Sequence, residues 1–136
     1  MGNIEVLDCT LRDGAYIVDS KFGDGAIRGI IYKLQNANVE VIECGWLKDY
    51  EGSSFYHLPE DVLPYIVEKK KECTYVAMID WNRYDDSVLP EYDGTSIDAI
   101  RVVFPYGKVK EGMEIADRIR KKGYRIYFQA ANTLAY

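Results

Sequence analysis

The sequence lacks the features that mark membrane-spanning and secreted proteins. Its longest stretch without Asp, Glu, Lys or Arg is the eleven residues from Ile126 to Tyr136, whereas a transmembrane helix takes about 20 apolar residues. Met1 to Glu5 contain no basic segment and no apolar run of the kind found in secretion signals. We therefore expect a cytoplasmic protein without a membrane partner.

Cysteine and positive charge are also scarce. The three cysteines are an odd number without a CxxC pair, which argues against a disulfide framework and against a zinc site. The chain has 17 basic and 22 acidic residues, so its net charge is −5, and an acidic chain repels a phosphate backbone. Its one basic run, Lys69 to Lys71, is bracketed by glutamates, a pattern typical of a solvated helix face. We expect no nucleic-acid partner.

The 136 residues instead contain regularly spaced strand patterns within the length of one domain. Five short segments rich in β-branched, aromatic and aliphatic residues predict buried strands. These segments are Ile4–Leu7, Val39–Glu43, Tyr75–Ile79, Ala99–Phe104 and Arg125–Gln129.

Helix signals fall between these strands. Apolar residues at helical spacing predict one helix over Ile27–Leu34 with Asp24 as its cap, and another over Lys108–Lys122 with Gly123 as its stop. The apolar stripe of the second helix is Val109, Met113, Ala116 and Ile119. A further helix start is indicated at Pro59, and the segment from Arg83 to Asp98 can hold only a short helix, since it contains a proline and a glycine.

Alternating strands and helices predict a parallel sheet in one of two architectures. A doubly wound open sheet can be complete with five strands, whereas a (β/α)8 barrel takes about 250 residues. The sequence covers about four βα units and a fifth strand, with no helix after it to cover a sheet edge. We therefore predict an α/β fold that is a partial TIM (β/α)8 barrel, with residues 1–136 as its N-terminal half and truncated at the C-terminal end.

Polar residues gather after the predicted strands, at the edge where parallel α/β folds bind ligands. They are Asp8, Thr10, Arg12 and Asp13 after the first strand, Glu43 and Cys44 at the second, Asp80 and Asn82 after the third, and Gln129 and Asn132 at the fifth. A continued extended conformation would place Asp8, Thr10 and Arg12 on one side. In one interpretation Asp13 holds a divalent cation while Arg12 faces a substrate oxyanion. In the alternative, Arg12 forms a local ion pair that only pins the loop.

Two of these segments resemble a known family. Asp8–Gly14, DCTLRDG, resembles the opening signature of the DRE-TIM metallolyases, which include 4-hydroxy-2-oxovalerate aldolase, hydroxymethylglutaryl-CoA lyase and isopropylmalate synthase. Val41–Gly45, VIECG, is similar to the second-strand segment of that family. Weaker similarities occur at Ile100–Phe104 and Gln129–Thr133.

The resemblance implies half of a lyase barrel that makes or breaks a carbon–carbon bond of a 2-oxo acid or acyl substrate through an enolate. It implies that Asp13 is a ligand of a divalent cation, with Mg²⁺ or Mn²⁺ expected, that Arg12 stabilises the enolate, and that Glu43 orders the site. Tyr16 is a candidate acid or base. The expected substrate-binding residues are Thr10, Asp80, Asn82, Gln129 and Asn132.

The remaining metal ligands of that family are an HxH pair on a late strand, whereas the one histidine of this sequence, His57, is expected in a surface loop. Because Asp13 alone should bind a cation poorly, we expect the 136 residues to be weakly active or inactive by themselves. We also expect self-association, or a missing C-terminal half that completes the barrel. Two other functions stay open: a Claisen-type acyltransferase on the same scaffold, and a non-catalytic binding module.

Overall fold

The computed structural model describes residues 4–19, 22–47 and 68–135. Within them, five parallel strands lie side by side in chain order. The strands are β1 (Leu7–Asp8), β2 (Val41–Trp46), β3 (Thr74–Asp80), β4 (Ala99–Phe104) and β5 (Arg125–Ala130). The sheet curls into half a barrel, so the prediction of a partial α/β barrel is confirmed. A doubly wound sheet would reverse its strand order at a switch point, and these five strands do not.

Helices connect the strands. They are α1 (Thr10–Asp13), a single turn, α2 (Asp24–Asn36) and α3 (Val109–Lys121). Between β3 and β4 the described chain forms only the 3₁₀ turn Asp86–Val88, which confirms the prediction of a short helix there. Pro59 and His57 lie outside the described residues. None of the described helices is long and apolar enough to cross a bilayer.

Two details of the helices differ from the predictions. The helix α2 begins at Asp24 itself, so Gly23 takes the N-cap position that was predicted for Asp24. In α3, Ala116 and Ile119 are buried as predicted, but Val109 is 45% exposed and Met113 is 41% exposed. Their predicted place against the sheet is taken instead by Gly112.

Gly112 is buried because α3 packs directly on the ring of Phe104. A Cβ atom at this position would lie 2.4 Å from Cδ1 of Phe104, a distance that no real side chain tolerates. The absence of a side chain therefore sets how closely α3 approaches β4. A scan for apolar residues misses this contact, since glycine contributes nothing to a hydrophobic stripe.

The main core lies between the helices and the outer face of the sheet, which is the face that the helices cover. Ile27 and Ile31 of α2, together with Ala116 and Ile119 of α3, belong to this core. The strands contribute alternate residues to it: Ile42, Cys44, Tyr75, Ala77, Ile79, Ile100 and Val102. Each fully buried isoleucine contributes about 1.5–3 kcal/mol. The intervening residues, including Val41, Val76 and Ala99, form a separate small cluster on the inner face.

A polar cluster ties the N-terminal ends of the strands together, and we call Gln35, Lys69, Tyr75, Tyr92 and Asp98 the Asp98 cluster. Lys69 Nζ lies 2.5 Å from Asp98 Oδ1, which also accepts a hydrogen bond from the Tyr92 hydroxyl at 3.0 Å. Asp98 Oδ2 accepts from the Tyr75 backbone N–H at 3.0 Å. Gln35 Nε2 donates to the Tyr75 hydroxyl at 2.6 Å.

This cluster corrects the interpretation of the basic run. Lys69, Lys70 and Lys71 lie in the loop and turn before β3 and not in a helix. The Lys69 side chain is only 23% exposed, because Asp98 draws its ammonium group against the end of the sheet. The charge pattern along the chain could not reveal a partner that lies 29 positions away.

Candidate functional site

A second polar cluster, made of Arg12, Asp13, Glu43 and Arg101, lies on the inner face, and we call it the Glu43 cluster. The Glu43 side chain is fully shielded from solvent. Its Oε1 accepts hydrogen bonds from Arg12 Nε at 2.6 Å and from Arg101 Nη2 at 2.8 Å. Arg101 Nε lies 2.6 Å from Glu43 Oε2, but this contact lacks hydrogen-bond geometry, and both atoms stay buried without a hydrogen bond. One carboxylate thus faces two guanidinium groups.

Glu43 points to the inner face because side chains alternate along β2, and Val41, two residues earlier, lies on that face. The strand continues to Trp46, and the pairing with β3 shifts by one residue between Glu43 and Gly45. Glu43 therefore lies within the strand and not at its carboxyl end as predicted. Such an irregularity lets consecutive residues keep their pairing while the strand bends. The buried carboxylate is consequently an integral part of the sheet.

Arg12 reaches Glu43 because the chain turns into a helix directly after β1. The backbone N–H groups of Arg12 and Asp13 both donate to the carbonyl of Cys9, at 3.2 and 2.7 Å. The expectation that Asp8, Thr10 and Arg12 line one side of an extended segment is therefore wrong. Within α1, Arg12 turns inward and is 7% exposed. The helical turn thus carries the guanidinium from the strand end to the inner face.

The environment of Arg12 keeps it charged. Burial by itself disfavours the cation, but the hydrogen bond and charge of Glu43, helped by the charge of Asp13, raise the pKa of Arg12 above its ordinary value. Arg12 Nη1 also donates to Asp13 Oδ1 at 2.9 Å. Since Asp13 is 59% exposed, water screens its charge more than that of Glu43. The cluster therefore keeps positive charge near the inner face.

Asp13 has the exposure that a metal ligand needs, but it has few potential companions. The parts of the chain that the structure describes contain no group of three or more His, Cys, Asp or Glu side chains placed to hold a metal ion. A single carboxylate already paired with Arg12 does not fit a divalent cation as a complete site, because Mg²⁺ and Ca²⁺ take six or more oxygen ligands, waters included. The described residues therefore do not supply a complete set of protein ligands for such a cation.

Trp46 lies beside the Glu43 cluster. The guanidinium carbon of Arg12 is 5.8 Å from the centroid of the Trp46 ring, within the range of a cation–π contact. Trp46 is also partly buried against the main core. The ring therefore covers Arg12 on one side, which reduces the access of water to its charge.

Asp80 and Gln129 are brought to the same level of the sheet. Asp80 is in register with Val103, and Val103 is in register with Gln129, so the two residues lie on one face, separated by one strand. Adjacent strands are about 4.8 Å apart, which places their Cα atoms about 10 Å from each other. Gln129 Oε1 is buried without a hydrogen bond. These two predicted substrate-binding residues thus share the edge of the inner face.

The other predicted site residues lie in turns. Thr10 donates to Asp8 through both its backbone N–H and its hydroxyl, each at 3.0 Å. Tyr16, in the 3₁₀ turn Gly14–Val18, is 66% exposed. Asn82 follows β3 in an exposed turn, and Asn132 follows β5 with a positive φ of 58°. None of these four residues has a described contact with Glu43 or Arg101.

Arg101 is the member of the cluster that the sequence analysis missed. It was noticed only as part of the weak similarity at Ile100–Phe104. Arginine is rarely buried without a partner, and the flanking residues of β4 are all buried and apolar. A charged residue in the middle of such a strand is the signal that could have found it.

Cys44 follows Glu43 but points to the outer face, where it joins the main core. Burial, and next the charge of Glu43, raise the pKa of the Cys44 thiol to about 12. The thiol therefore stays protonated at neutral pH. Since the thiolate is the nucleophilic form, Cys44 is not a reacting group in this arrangement.

Comparison with known proteins finds a likeness in fold to a solved structure. No family model matches the chain, and no curated protein matches it. Among solved structures, the fold is similar to the N-terminal domain of a "putative aldolase" from Bacteroides vulgatus, with a TM-score of 0.69 and 18% sequence identity. The match covers 92% of this chain and 44% of the Bacteroides chain. The chain is thus similar in fold to less than half of an aldolase-like protein.

Proposed function

We propose that this chain is part of an aldolase-type lyase of the DRE-TIM metallolyase kind, acting on a 2-oxo acid or acyl substrate. The observation that carries the proposal is the buried Glu43, which holds the guanidinium of Arg12 directly after β1. The DCTLRDG and VIECG segments that carry the family resemblance supply Arg12, Asp13 and Glu43. The fold likeness to the Bacteroides domain supports the same class of enzyme.

In the proposed reaction, cleavage of a carbon–carbon bond leaves its electron pair on the 2-oxo fragment as an enolate. Arg12 would stabilise the enolate oxygen, because its cation is fixed in place before the charge develops and needs little reorganisation. Glu43 would orient Arg12, and Trp46 would limit the access of water to it. As the bond breaks, the hydroxyl of the departing fragment gives its proton to a general base and becomes a carbonyl, and the enolate then takes up a proton from a general acid. Tyr16 stays the proposed candidate for acid or base in these transfers.

A divalent cation, Mg²⁺ or Mn²⁺, remains part of the proposal, with Asp13 as one ligand. When bound, such a cation would polarise the substrate carbonyl. The described residues do not complete its coordination, so the other ligands would come from elsewhere in the full-length protein. Metal content of Asp13→Asn, measured by elemental analysis, tests this role, and a content equal to that of the wild type would remove Asp13 from the site.

The proposed substrate contacts are those on the same edge of the sheet. Asp80 and Gln129 face the inner side, and the buried Oε1 of Gln129 has hydrogen-bonding capacity left for a ligand. Thr10, Asn82 and Asn132 would contribute from the turns that follow β1, β3 and β5. Each would bind a polar group of the substrate without taking part in bond cleavage.

The proposed partner is whatever completes the barrel. Exposed apolar residues occur at both edges of the sheet. Val6, just before the edge strand β1, is 56% exposed, and Phe128 in the edge strand β5 is 41% exposed. A second copy of this chain or a C-terminal half would cover these edges. Sedimentation of the 136-residue chain separates the two, since only self-association gives a dimer.

The experiment that tests the proposal is product analysis with the natural full-length protein. Incubation with pyruvate and aldehydes should give an aldol product, whereas acetyl-CoA with 2-oxo acids would give a product only for the Claisen-type alternative. Arg12→Ala should lower turnover by about 100-fold and leave metal content intact. The control is Arg118→Ala, which removes an arginine that pairs with Asp86 on the outside of α3. Wild-type turnover in Arg12→Ala would remove Arg12 from the mechanism.

A further inference from the structure

Arg101 lies in a buried part of β4, where placing an arginine costs free energy. Its neighbours in β4 are Ala99, Ile100, Val102, Val103 and Phe104, all buried, and its own side chain is only 14% exposed. A buried ion pair often contributes no more stability than apolar residues of the same size. Stability alone therefore gives a weak reason for an arginine here.

The path of the side chain suggests a more specific task. β4 is separated from β2 by β3, and Arg101 passes Met78 of β3, with Nη2 4.0 Å from the Met78 sulfur. It then meets Glu43 through two nitrogens, Nη2 on Oε1 and Nε on Oε2. The end torsion of a glutamate is broad when it has one partner. One hydrogen bond to Oε1 and one close ionic contact with Oε2, both from the same planar guanidinium, hold the two carboxylate oxygens in place.

Arg12 depends on the same carboxylate. Arg12 Nε donates a hydrogen bond to Oε1 of Glu43, and the same oxygen accepts a hydrogen bond from Arg101 Nη2. The place of Oε1 therefore decides where the Arg12 guanidinium points. The other described polar partner of Arg12 is Asp13, which is exposed and next to it in the chain, and thus constrains it less.

We propose that Arg101 is a positioning residue, which locks the carboxylate of Glu43 and through it orients the guanidinium of Arg12. The contacts that carry this inference are independent of the reaction, and only its kinetic consequence rests on the proposed function. A positioning group should matter because reacting groups must be held within about 0.5 Å of their productive geometry.

The first test measures how well contact with Glu43 protects the two guanidinium groups from exchange with water. In ¹⁵N-labelled protein, the Nε–H protons of Arg12 and Arg101 should exchange with water more slowly than that of Arg118, whose side chain is 43% exposed. In Arg101→Lys, which keeps the charge but cannot contact both oxygens, exchange at Arg12 should become about tenfold faster. The matched control, Arg118→Lys, should leave it unchanged.

Three results would overturn the proposal. They are fast exchange at Arg101 in the wild-type protein, slow exchange at Arg12 that persists in folded Arg101→Lys, and equal acceleration in Arg118→Lys. The exchange rate at Arg101 in the wild-type protein tests the proposal even if Arg101→Lys does not fold.

The second test is kinetic. In Arg101→Lys the kcat for cleavage should fall about tenfold with KM changed less than about twofold, because a misplaced Arg12 affects the transition state more than substrate binding. A larger rise in KM than fall in kcat would contradict positioning through Arg12. A wild-type protein without lyase activity would refute the proposed function, while the exchange measurement would still decide the role of Arg101.

Discussion

The Asp98 cluster and the Glu43 cluster both bury charge, but they balance it differently. Asp98 faces one ammonium group and accepts from Lys69, Tyr92 and Tyr75, so both of its oxygens are hydrogen-bonded. Glu43 faces two guanidinium groups and keeps an oxygen without a hydrogen bond. A cluster in which the buried carboxylate oxygens are all hydrogen-bonded is accounted for by a structural role. A cluster with buried hydrogen-bonding atoms that no described residue uses keeps capacity for a ligand.

The positions of the two clusters agree with this difference. The Asp98 cluster joins the N-terminal ends of β3 and β4, which in barrels of this type is the stabilising end. Arg12 and Asp13 of the Glu43 cluster follow the carboxyl end of β1, the end at which such barrels bind substrates. Substitutions in the Asp98 cluster should therefore lower stability alone, whereas substitutions in the Glu43 cluster should also lower activity.

The largest effect on stability is expected for Glu43→Gln. This change keeps the side-chain shape but leaves Arg101 without a described counter-charge and Arg12 with only the exposed Asp13, which should cost about 3–5 kcal/mol in the free energy of unfolding. Urea unfolding measures the loss. Glu114→Gln is the control, since Glu114 and Lys110 form a long, exposed pair at 3.9 Å worth about 1 kcal/mol or less. Equal losses in both variants would mean that the Glu43 cluster has no special energy.

Asp98→Asn should reduce stability without reducing activity. The loss of the charged contact with Lys69 should cost about 1–3 kcal/mol, at the low end because both side chains keep some contact with water. Turnover of the folded variant should match that of the wild type. A fall in turnover comparable to that of Arg12→Ala would break the proposed division between the clusters.

Gly112→Ala gives a loss of stability that involves neither cluster. The new Cβ would lie 2.4 Å from the Phe104 ring, so overpacking should cost about 1–3 kcal/mol. Gly29→Ala in α2 is the matched control, because a Cβ there meets nothing within 4 Å and should gain about 0.5–1 kcal/mol. Thermal unfolding measures both. A stabilised Gly112→Ala would contradict the close packing of α3 on β4.

The last effect is confined to alkaline solution. Burial raises the pKa of Cys44 from its ordinary value of 9.0 to about 12. Between these two pH values the Cys44 thiol is therefore protonated in the folded protein and ionised in the unfolded chain. Stability should therefore be complete below pH 9 and fall as the pH rises through this range. The urea concentration at the midpoint of unfolding should fall less steeply with pH in Cys44→Ala than in the wild type. Identical slopes would show that Cys44 is not protonated in the way proposed.

The sequence predicted the outer layer of the fold well. The bounds of β4, Ala99–Phe104, agree with the prediction, because a run of buried apolar residues identifies such a strand by itself. Ile27 and Ile31 of α2 are buried as their spacing indicated. These features depend on local patterns, which a single sequence contains.

The site was only partly predictable. Arg12, Asp13 and Glu43 were identified from motifs, but the pairing of Arg12 with Glu43 spans 31 positions and that of Arg101 with Glu43 spans 58. Such pairings follow from the order and register of the strands, which local sequence patterns do not contain. The turn of α1 was missed because four residues are too few to show a helical period.

The central claim is that Arg12 stabilises negative charge on a carbon acid. Deuterium uptake by pyruvate tests this claim most directly, because the exchange requires neither an aldehyde nor cleavage of a carbon–carbon bond. The full-length protein is incubated with pyruvate and Mg²⁺ in heavy water, and loss of the methyl signal is followed by proton NMR. We expect exchange well above the buffer rate, with a fall of about 100-fold in Arg12→Ala and none in Arg118→Ala. Exchange at the same rate in Arg12→Ala and the wild type would contradict the claim.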